Sequence, residues 1–220
     1  MPPSSLFERA ARKQGYEIVA GIDEVGRGPW AGPVYAAAAI VDTRKIAKKG
    51  LSSLDDSKKL SLEQREELFE RLKEGAVVGV GWASVQEIDR LNILWASMLA
   101  MQRAVAALPI APQYCLVDGN RAPELPCPCE TIIEGDGRSF SIAAASVVAK
   151  VTRDRIMVGL APEYPEYRWE SNKGYGTPDH RDALRRLGVT PHHRRSWYPV
   201  FNRLSQLTLD LRDVGAPDSV

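Results

Sequence analysis

Cysteine is scarce in this chain, three in 220 residues, and an odd count excludes a disulfide framework. Cys127-Pro128-Cys129 has no second ligand pair at zinc spacing and Cys115 lies inside an apolar run. All three are therefore expected to be reduced thiols of a cytoplasmic protein. Long hydrophobic runs are also missing: none approaches the ~18 residues of a membrane-spanning helix. Met1 to Tyr16 carries Arg9, Arg12 and Lys13 with no apolar segment behind them, which is not the pattern of a secretory signal. Nor does one sign of charge prevail, since 29 basic side chains face 28 acidic ones for a net charge of +1. Bulk charge therefore does not announce a polyanion partner. Without internal repeats or low-complexity linkers, the chain is expected to be one domain with an appendage: an arm over 1–16, a main domain over 17–190 and a helical extension over 191–220.

What is present is concentrated early. Gly21-Ile22-Asp23-Glu24-Val25-Gly26-Arg27-Gly28-Pro29 sets two adjacent carboxylates at the end of an apolar run and a glycine–arginine–glycine turn behind them. Neighbours on a strand point to opposite faces, so Asp23 and Glu24 are expected to share a ligand only where the strand ends. Gly26 and Gly28 tolerate backbone angles closed to other residues and can expose their N–H groups, while Arg27 offers a fork of donors suited to phosphate. The stretch reads as a metal site beside a polyanion site. Asp-Glu before a glycine-rich turn is also ordinary punctuation.

Hydrophobic periodicity predicts strands at Glu17–Asp23, Val34–Val41, Ala76–Ala83, Tyr114–Val117 and Thr131–Ile133. Ser61 with Gln64 three residues on is a capping box that opens a helix ending at Gly75. One long helix is expected to carry Leu91, Leu94, Trp95, Met98, Met101, Val105 and Leu108 as a core stripe before Pro109. A second, alanine-rich helix is expected from Ser139 to about Leu160, and a third between Pro178 and Gly188. Residues 45–59 and 162–176 read as loops, and 212–220 as a frayed end. Strands followed by strand–helix units make an α/β sheet with helices on both faces.

Asp118 and Asp136 each stand just after a strand and beside glycine, as Asp23 and Glu24 do. If the fourth strand neighbours the first, these four acids meet near the strand ends, where chemistry gathers in open α/β sheets. Carboxylates so placed raise one another's pKa unless cations lie between them. An all-oxygen donor set suits Mg²⁺ or Mn²⁺ rather than zinc. Between 181 and 203, six arginines against one acid are interleaved with His192, His193, Trp197 and Tyr198. That mixture suits a nucleic-acid backbone, and equally a solvated basic face.

Seven segments, GIDEVGRGPWAGPV (21–34), DDSKKLS (55–61), VDGN (117–120), EGD (134–136), SIAAASVVAKVTRDR (141–155), NKGYGT (172–177) and HRRSW (193–197), together resemble bacterial ribonuclease HII, the type 2 ribonuclease H. The resemblance implies a ribonuclease H-like mixed sheet flanked by helices, with a helical C-terminal extension. It implies an endonuclease that cuts the RNA strand of RNA–DNA hybrids and cuts 5′ to single ribonucleotides embedded in duplex DNA. Asp23, Glu24, Asp118 and Asp136 match the family's catalytic, metal-binding carboxylates, serving two divalent ions, Mn²⁺ or Mg²⁺. Gly26, Arg27 and Gly28 match the turn whose backbone senses the 2′-hydroxyl, Tyr175 the tyrosine that stacks on the sugar following the ribonucleotide, and Ser57 and Lys58 phosphate contacts. Lys150, Arg153 and Asp154, at helical spacing, are read as an ion-paired support. Trp30 and Gly137 depart from the residues frequent at their positions, leucine and alanine. Ribonuclease HIII, which carries an extra N-terminal domain, is set aside because about twenty residues precede Asp23. A non-catalytic hybrid-binding module and a metal-dependent phosphomonoesterase are the rival readings.

Gln206-Leu207-Thr208-Leu209-Asp210-Leu211 resembles the peptides that dock on the bacterial replication sliding clamp. The same residues also suit an amphipathic final helix, with Leu204, Leu207 and Leu211 turned inward. No membrane partner is expected, and the protein is expected to be a monomer.

Overall fold

A computed structural model describes residues 3–42, 54 and 60–214, with backbone alone for 207–214. Ser57 and Lys58 lie outside the described residues, as does most of the expected loop over 45–59. Five strands form one sheet in the order β3-β2-β1-β4-β5. β1 (Val19–Val25), β2 (Val34–Val41) and β3 (Ala76–Ala83) form an antiparallel meander, while β4 (Tyr114–Asp118) and β5 (Cys129–Ile132) run parallel to β1 on its other side. β1 is thus central, and it is where the parallel and antiparallel halves meet.

Small residues decide how closely the helices lie on this sheet. Ala20, Ile22, Ala36 and Ala38 face α4 (Ile93–Ala106) on one side, while Ala37 and Ala39 face α2 (Leu62–Gly75) and α5 (Phe140–Leu160) on the other. A methyl group at Gly21 would stand 2.1 Å from the Ser141 carbonyl carbon of α5. At Gly79 and Gly81 it would stand 2.3 Å from the Ala104 and Ala100 carbonyl oxygens of α4. Both helices therefore rest on the strand backbone itself. The capping box at Ser61 forms as expected, with Gln64 N donating to Ser61 Oγ at 3.2 Å and Ser61 N to Gln64 Oε1 at 2.8 Å.

The single long helix expected after β3 is two, α3 (Val85–Leu91) and α4, broken at Asn92. Asn92 adopts φ 69°, and its Oδ1 accepts from Leu94 N at 2.9 Å and Trp95 N at 3.3 Å. The side chain thus ends one helix and caps the next, while the apolar spacing runs on across the break. Met101 is core as expected, but Trp95 is 60% exposed and is not. The expected loop over 162–176 contains the short helix α6 (Trp169–Asn172) and buries Tyr167 and Trp169 in a satellite core with Met157 and Ala183. The N-terminal arm carries α1 (Leu6–Lys13), whose buried Glu8 accepts from Ser139 Oγ at 2.6 Å and from Ser141 N at 2.9 Å. That arm is tied to the start of α5. α7 (Pro178–Leu187) and α8 (Tyr198–Val214) complete the chain. Among the described residues no helix is long and apolar enough to cross a membrane.

Candidate active site

Asp23 and Glu24 do not sit at the end of their strand, as expected, but within it: Asp23 pairs with Ala37 and Glu24 with Ala36 of β2. The opening comes from the neighbour instead. Pairing of β1 with β4 stops at Ile22↔Val117, and β4 itself ends at Asp118. Beyond that point β1 has a free flank, so side chains from either face can reach the gap. Asp118 follows Val117 directly and stands beside Asp23. Its Oδ1 accepts from Gly135 N at 2.7 Å, which anchors the turn Gly135–Gly137 that carries Asp136. Asp136 Oδ1 in turn accepts from Gly137 N at 2.9 Å, and Asp23 Oδ1 from Glu24 N at 2.7 Å.

The electrostatics register this crowding. Asp23, 6% exposed, has a pKa raised well above the carboxylate range. Burial is the largest cause, followed by the charges of Glu24 and Asp118, with Asp136 adding less and a hydrogen bond with Ser146 of α5 opposing. Glu24 is raised by burial and Asp118, against the pull of Arg27, whose Nη1 stands 3.3 Å from Glu24 Oε1. Arg27 is therefore folded over the acid as well as presented to solvent. Glu24, Arg27, Asp118 and Met98 are among the residues lining a cleft of about 310 Å³. Among the described residues no three His, Cys, Asp or Glu side chains are drawn in to the spacing of a single ion's ligands. The acids share a field, not a closed cage. Their donor set is all oxygen, and ionising Asp23 there needs compensating positive charge, so the residues fit a hard divalent ion.

Beside the acids, the structure brings together the turn and the tyrosine. Gly26 has φ +92°, and a methyl group at Gly28 would be 3.6 Å from Tyr175 Cε1. Tyr175 is 41% exposed on the same face. Two wholly buried arginines hold this arrangement. Arg194 donates from Nε to Gly32 O at 3.0 Å, from Nη1 to Arg27 O at 2.9 Å, and from Nη2 to Gly26 O. Arg153 donates to Pro33 O at 3.0 Å, Lys173 O at 3.0 Å and Ala31 O at 3.2 Å. Burial pushes the Arg194 guanidinium down to about 9, with the charge of Arg153 adding to it.

Sequence reasoning missed both roles. Arg194 was grouped with a basic face, yet it is 0% exposed, as is His193. Arg153 was grouped with Lys150 and Asp154, but only those two pair, at 2.9 Å. Of the other arginines in that stretch, Arg185 and Arg186 pair with Asp182 at 2.8 and 2.6 Å. Trp30, where leucine is frequent, packs on the tyrosine loop: its backbone N–H donates to Gly174 O at 2.8 Å and its ring fills the space a methyl group at Gly176 would need. Ser146 was also missed; a serine in an alanine-rich face was the available signal.

The five-stranded mixed sheet with helices on both faces is the ribonuclease H-like fold, shared with solved ribonucleases of the HII and HIII types. The sequence model of the family Ribonuclease HII matches residues 20–200. The chain is 61% identical over 183 residues to the ribonuclease HII of Paramagnetospirillum magneticum, covering 83% of this chain and 91% of that protein. Among solved structures it is similar to ribonuclease H2 from Pyrococcus horikoshii, with a TM-score of 0.72 and 29% identity over 86% of this chain and 98% of that one. It is also similar to the ribonuclease HII solved in a complex with PCNA from Archaeoglobus fulgidus, with a TM-score of 0.69 and 26% identity over 84% and 96% of the two chains. The chain belongs to the ribonuclease HII family, metal-dependent endoribonucleases that act on the RNA of RNA–DNA hybrids.

Proposed function

We propose that this enzyme, besides cutting the RNA strand of hybrids, cuts on the 5′ side of a single ribonucleotide in duplex DNA, leaving 3′-hydroxyl and 5′-phosphate ends. The observation that carries this reading is the closeness of the turn to the tyrosine beside the acid cluster: a methyl group at Gly28 would stand 3.6 Å from Tyr175 Cε1. Only the 2′-hydroxyl distinguishes one ribonucleotide from its DNA neighbours, and it both donates and accepts. The bare backbone of Gly26-Arg27-Gly28 can come close enough to bond it. Tyr175 would lie against the next sugar, where a ring packs better on deoxyribose than on ribose. Asp23, Glu24, Asp118 and Asp136 would hold two divalent ions, Mg²⁺ or Mn²⁺. Such ions, when bound, lower the pKa of the attacking water and stabilise the departing 3′ oxygen. Arg27, half exposed beside Glu24, would offer its guanidinium to a phosphate oxygen of the substrate. Ser57 and Lys58 are assigned to phosphate contacts on sequence alone.

The test is cleavage of a duplex bearing one embedded ribonucleotide, mapped to the nucleotide with Mg²⁺ and Mn²⁺ compared. A cut 5′ to that residue is expected; cleavage only within runs of RNA would overturn the reading. The peptide Gln206–Leu211 as a docking element for the replication sliding clamp is supported by its pattern and by the archaeal relative solved with PCNA. It lies on α8, where the side chains from 207 onward are outside the described residues. Loss of clamp pull-down on changing Gln206 and Leu209 together to alanine is the expected outcome, and undiminished retention would sink it.

A further inference from the structure

Two histidines outside the acid cluster lie at the joint between the tyrosine loop and the C-terminal segment. His180, on the first turn of α7, and His193, next to Arg194, are both 0% exposed. The rings of Trp30, Tyr167 and Trp169 enclose them. Their hydrogen bonds fix one protonation pattern. His180 Nδ1 is 2.9 Å from the Tyr175 carbonyl oxygen, which only accepts, so Nδ1 carries the proton. His180 Nε2 then presents a lone pair, and His193 Nε2 at 3.0 Å donates to it. His193 Nδ1, left as an acceptor, receives Thr190 N at 3.0 Å and Thr190 Oγ1 at 2.9 Å. Each ring has one proton and one lone pair, and each finds its complement. A second proton on either ring would meet another donor.

The consequence is mechanical. One end of the pair holds the backbone of Tyr175. The other end is joined through the chain to Arg194, which holds the Gly26 and Arg27 carbonyls. The two pieces assigned above to ribonucleotide recognition are thus joined by an imidazole–imidazole bond, in addition to Trp30 N on the Gly174 carbonyl and Arg153 on the Lys173 and Ala31 carbonyls.

We infer that His180 and His193 are positioning residues, a neutral buried pair that sets the Tyr175 ring at its distance from the Gly26-Arg27-Gly28 turn and so governs recognition of a ribonucleotide. This rests on the reading that Tyr175 and the turn touch the substrate. Burial supports the pair's neutrality, lowering His180 and bringing His193 to about 3.

A double-mutant cycle tests the inference, with kcat and KM measured on a duplex holding one ribonucleotide. His180→Leu removes both bonds and the longer one that His180 Nε2 accepts from Trp169 Nε1 at 3.5 Å, and a misplaced ring is expected to lower kcat/KM by about tenfold or more. His180→Asn keeps a donor for the Tyr175 carbonyl and is expected to recover most of that loss. In a Tyr175→Ala background, His180→Leu is expected to change kcat/KM by less than about twofold, because the ring it positions is gone. Equal losses in the Leu and Asn variants, or a His180→Leu loss undiminished in the Tyr175→Ala background, would show that the pair acts only as core and overturn the inference. If Tyr175→Ala by itself has no effect, the substrate role of Tyr175 fails, and this inference with it. Should His180→Leu not fold, His180→Phe, which keeps a ring and loses the hydrogen bonds, replaces it in the same cycle and is judged by the same criterion of additivity.

Discussion

At the scale of single residues, Asp23 carries the sharpest conflict between stability and function. Its carboxyl is buried among Glu24, Asp118 and Asp136, and its pKa is raised accordingly. A raised acid holds its proton more tightly in the fold than in the unfolded chain, so its contribution to stability falls as pH rises through that raised value. Asp23→Asn removes the conflict. In chelator at pH 7 the variant is expected to melt about 2–4 °C higher than the parent. Mn²⁺ should raise the parent's melting temperature and leave the variant's nearly unchanged, while hydrolysis of hybrid falls by about a thousandfold or more, as loss of several kcal/mol of charge stabilisation requires. Differential scanning fluorimetry with and without metal checks the first two points. Arg194 has the opposite character. Its guanidinium serves the carbonyls of Gly26, Arg27, Gly32 and Pro33 from a fully buried position. Lysine has no planar fork and cannot satisfy that set. Arg194→Lys is expected to cost about 2–4 kcal/mol in urea unfolding, because buried carbonyls are left unpaired.

At the scale of elements, the site depends on how closely α5 crosses β1. Gly21 lies under the backbone of Ser141, and the Asp23–Ser146 hydrogen bond spans the same crossing. Gly21→Ala would force helix and strand apart, since the atoms met are backbone and cannot rotate away. A loss of about 3 kcal/mol is expected, at the upper end of the usual cost of overpacking. The same shift draws Ser146 from Asp23, so metal affinity should weaken in any fraction that still folds; calorimetric titration with Mn²⁺ would show it. The two ends of the sheet play different parts. β2 and β3 supply alanine and glycine surfaces on which helices lie flat, and β4 supplies the early stop that opens the flank of β1.

At the scale of the whole molecule, two sets of groups pull the pH dependence in opposite directions. His193 falls from its ordinary 6.5 to about 3, and His180 is lowered as well. Below about pH 6.5 the unfolded chain takes up protons that the folded pair refuses, so the fold weakens as pH falls through that window. Asp23 acts the other way. The Asp23→Asn variant, lacking the opposing group, is therefore expected to lose more stability than the parent between pH 6.5 and pH 4, the ordinary histidine and aspartate values. Equal slopes for the two proteins in thermal melts would refute this assignment.

Local physics made much of this molecule legible in advance. Ser61 with Gln64, Pro178 with Gly188, and the strands Val34–Val41 and Ala76–Ala83 are local patterns, and the structure repeats them. The four acids were legible because each combines a carboxylate with glycine after an apolar run, a chemistry written within a few residues. Where the break at Asn92 falls was not, because apolar periodicity continues across it and only a left-handed backbone ends the helix. Nor could spacing reveal that Arg153 and Arg194 are internal struts, since burial of a guanidinium is decided by carbonyls converging from segments more than a hundred residues away. The sequence alone determined the chemical groups, their order and the kind of ion that would suit them. Tertiary structure alone decided that the end of β4 falls beside Asp23 and so opens the gap along β1, because where a strand loses its neighbour is a property of the sheet and not of either strand.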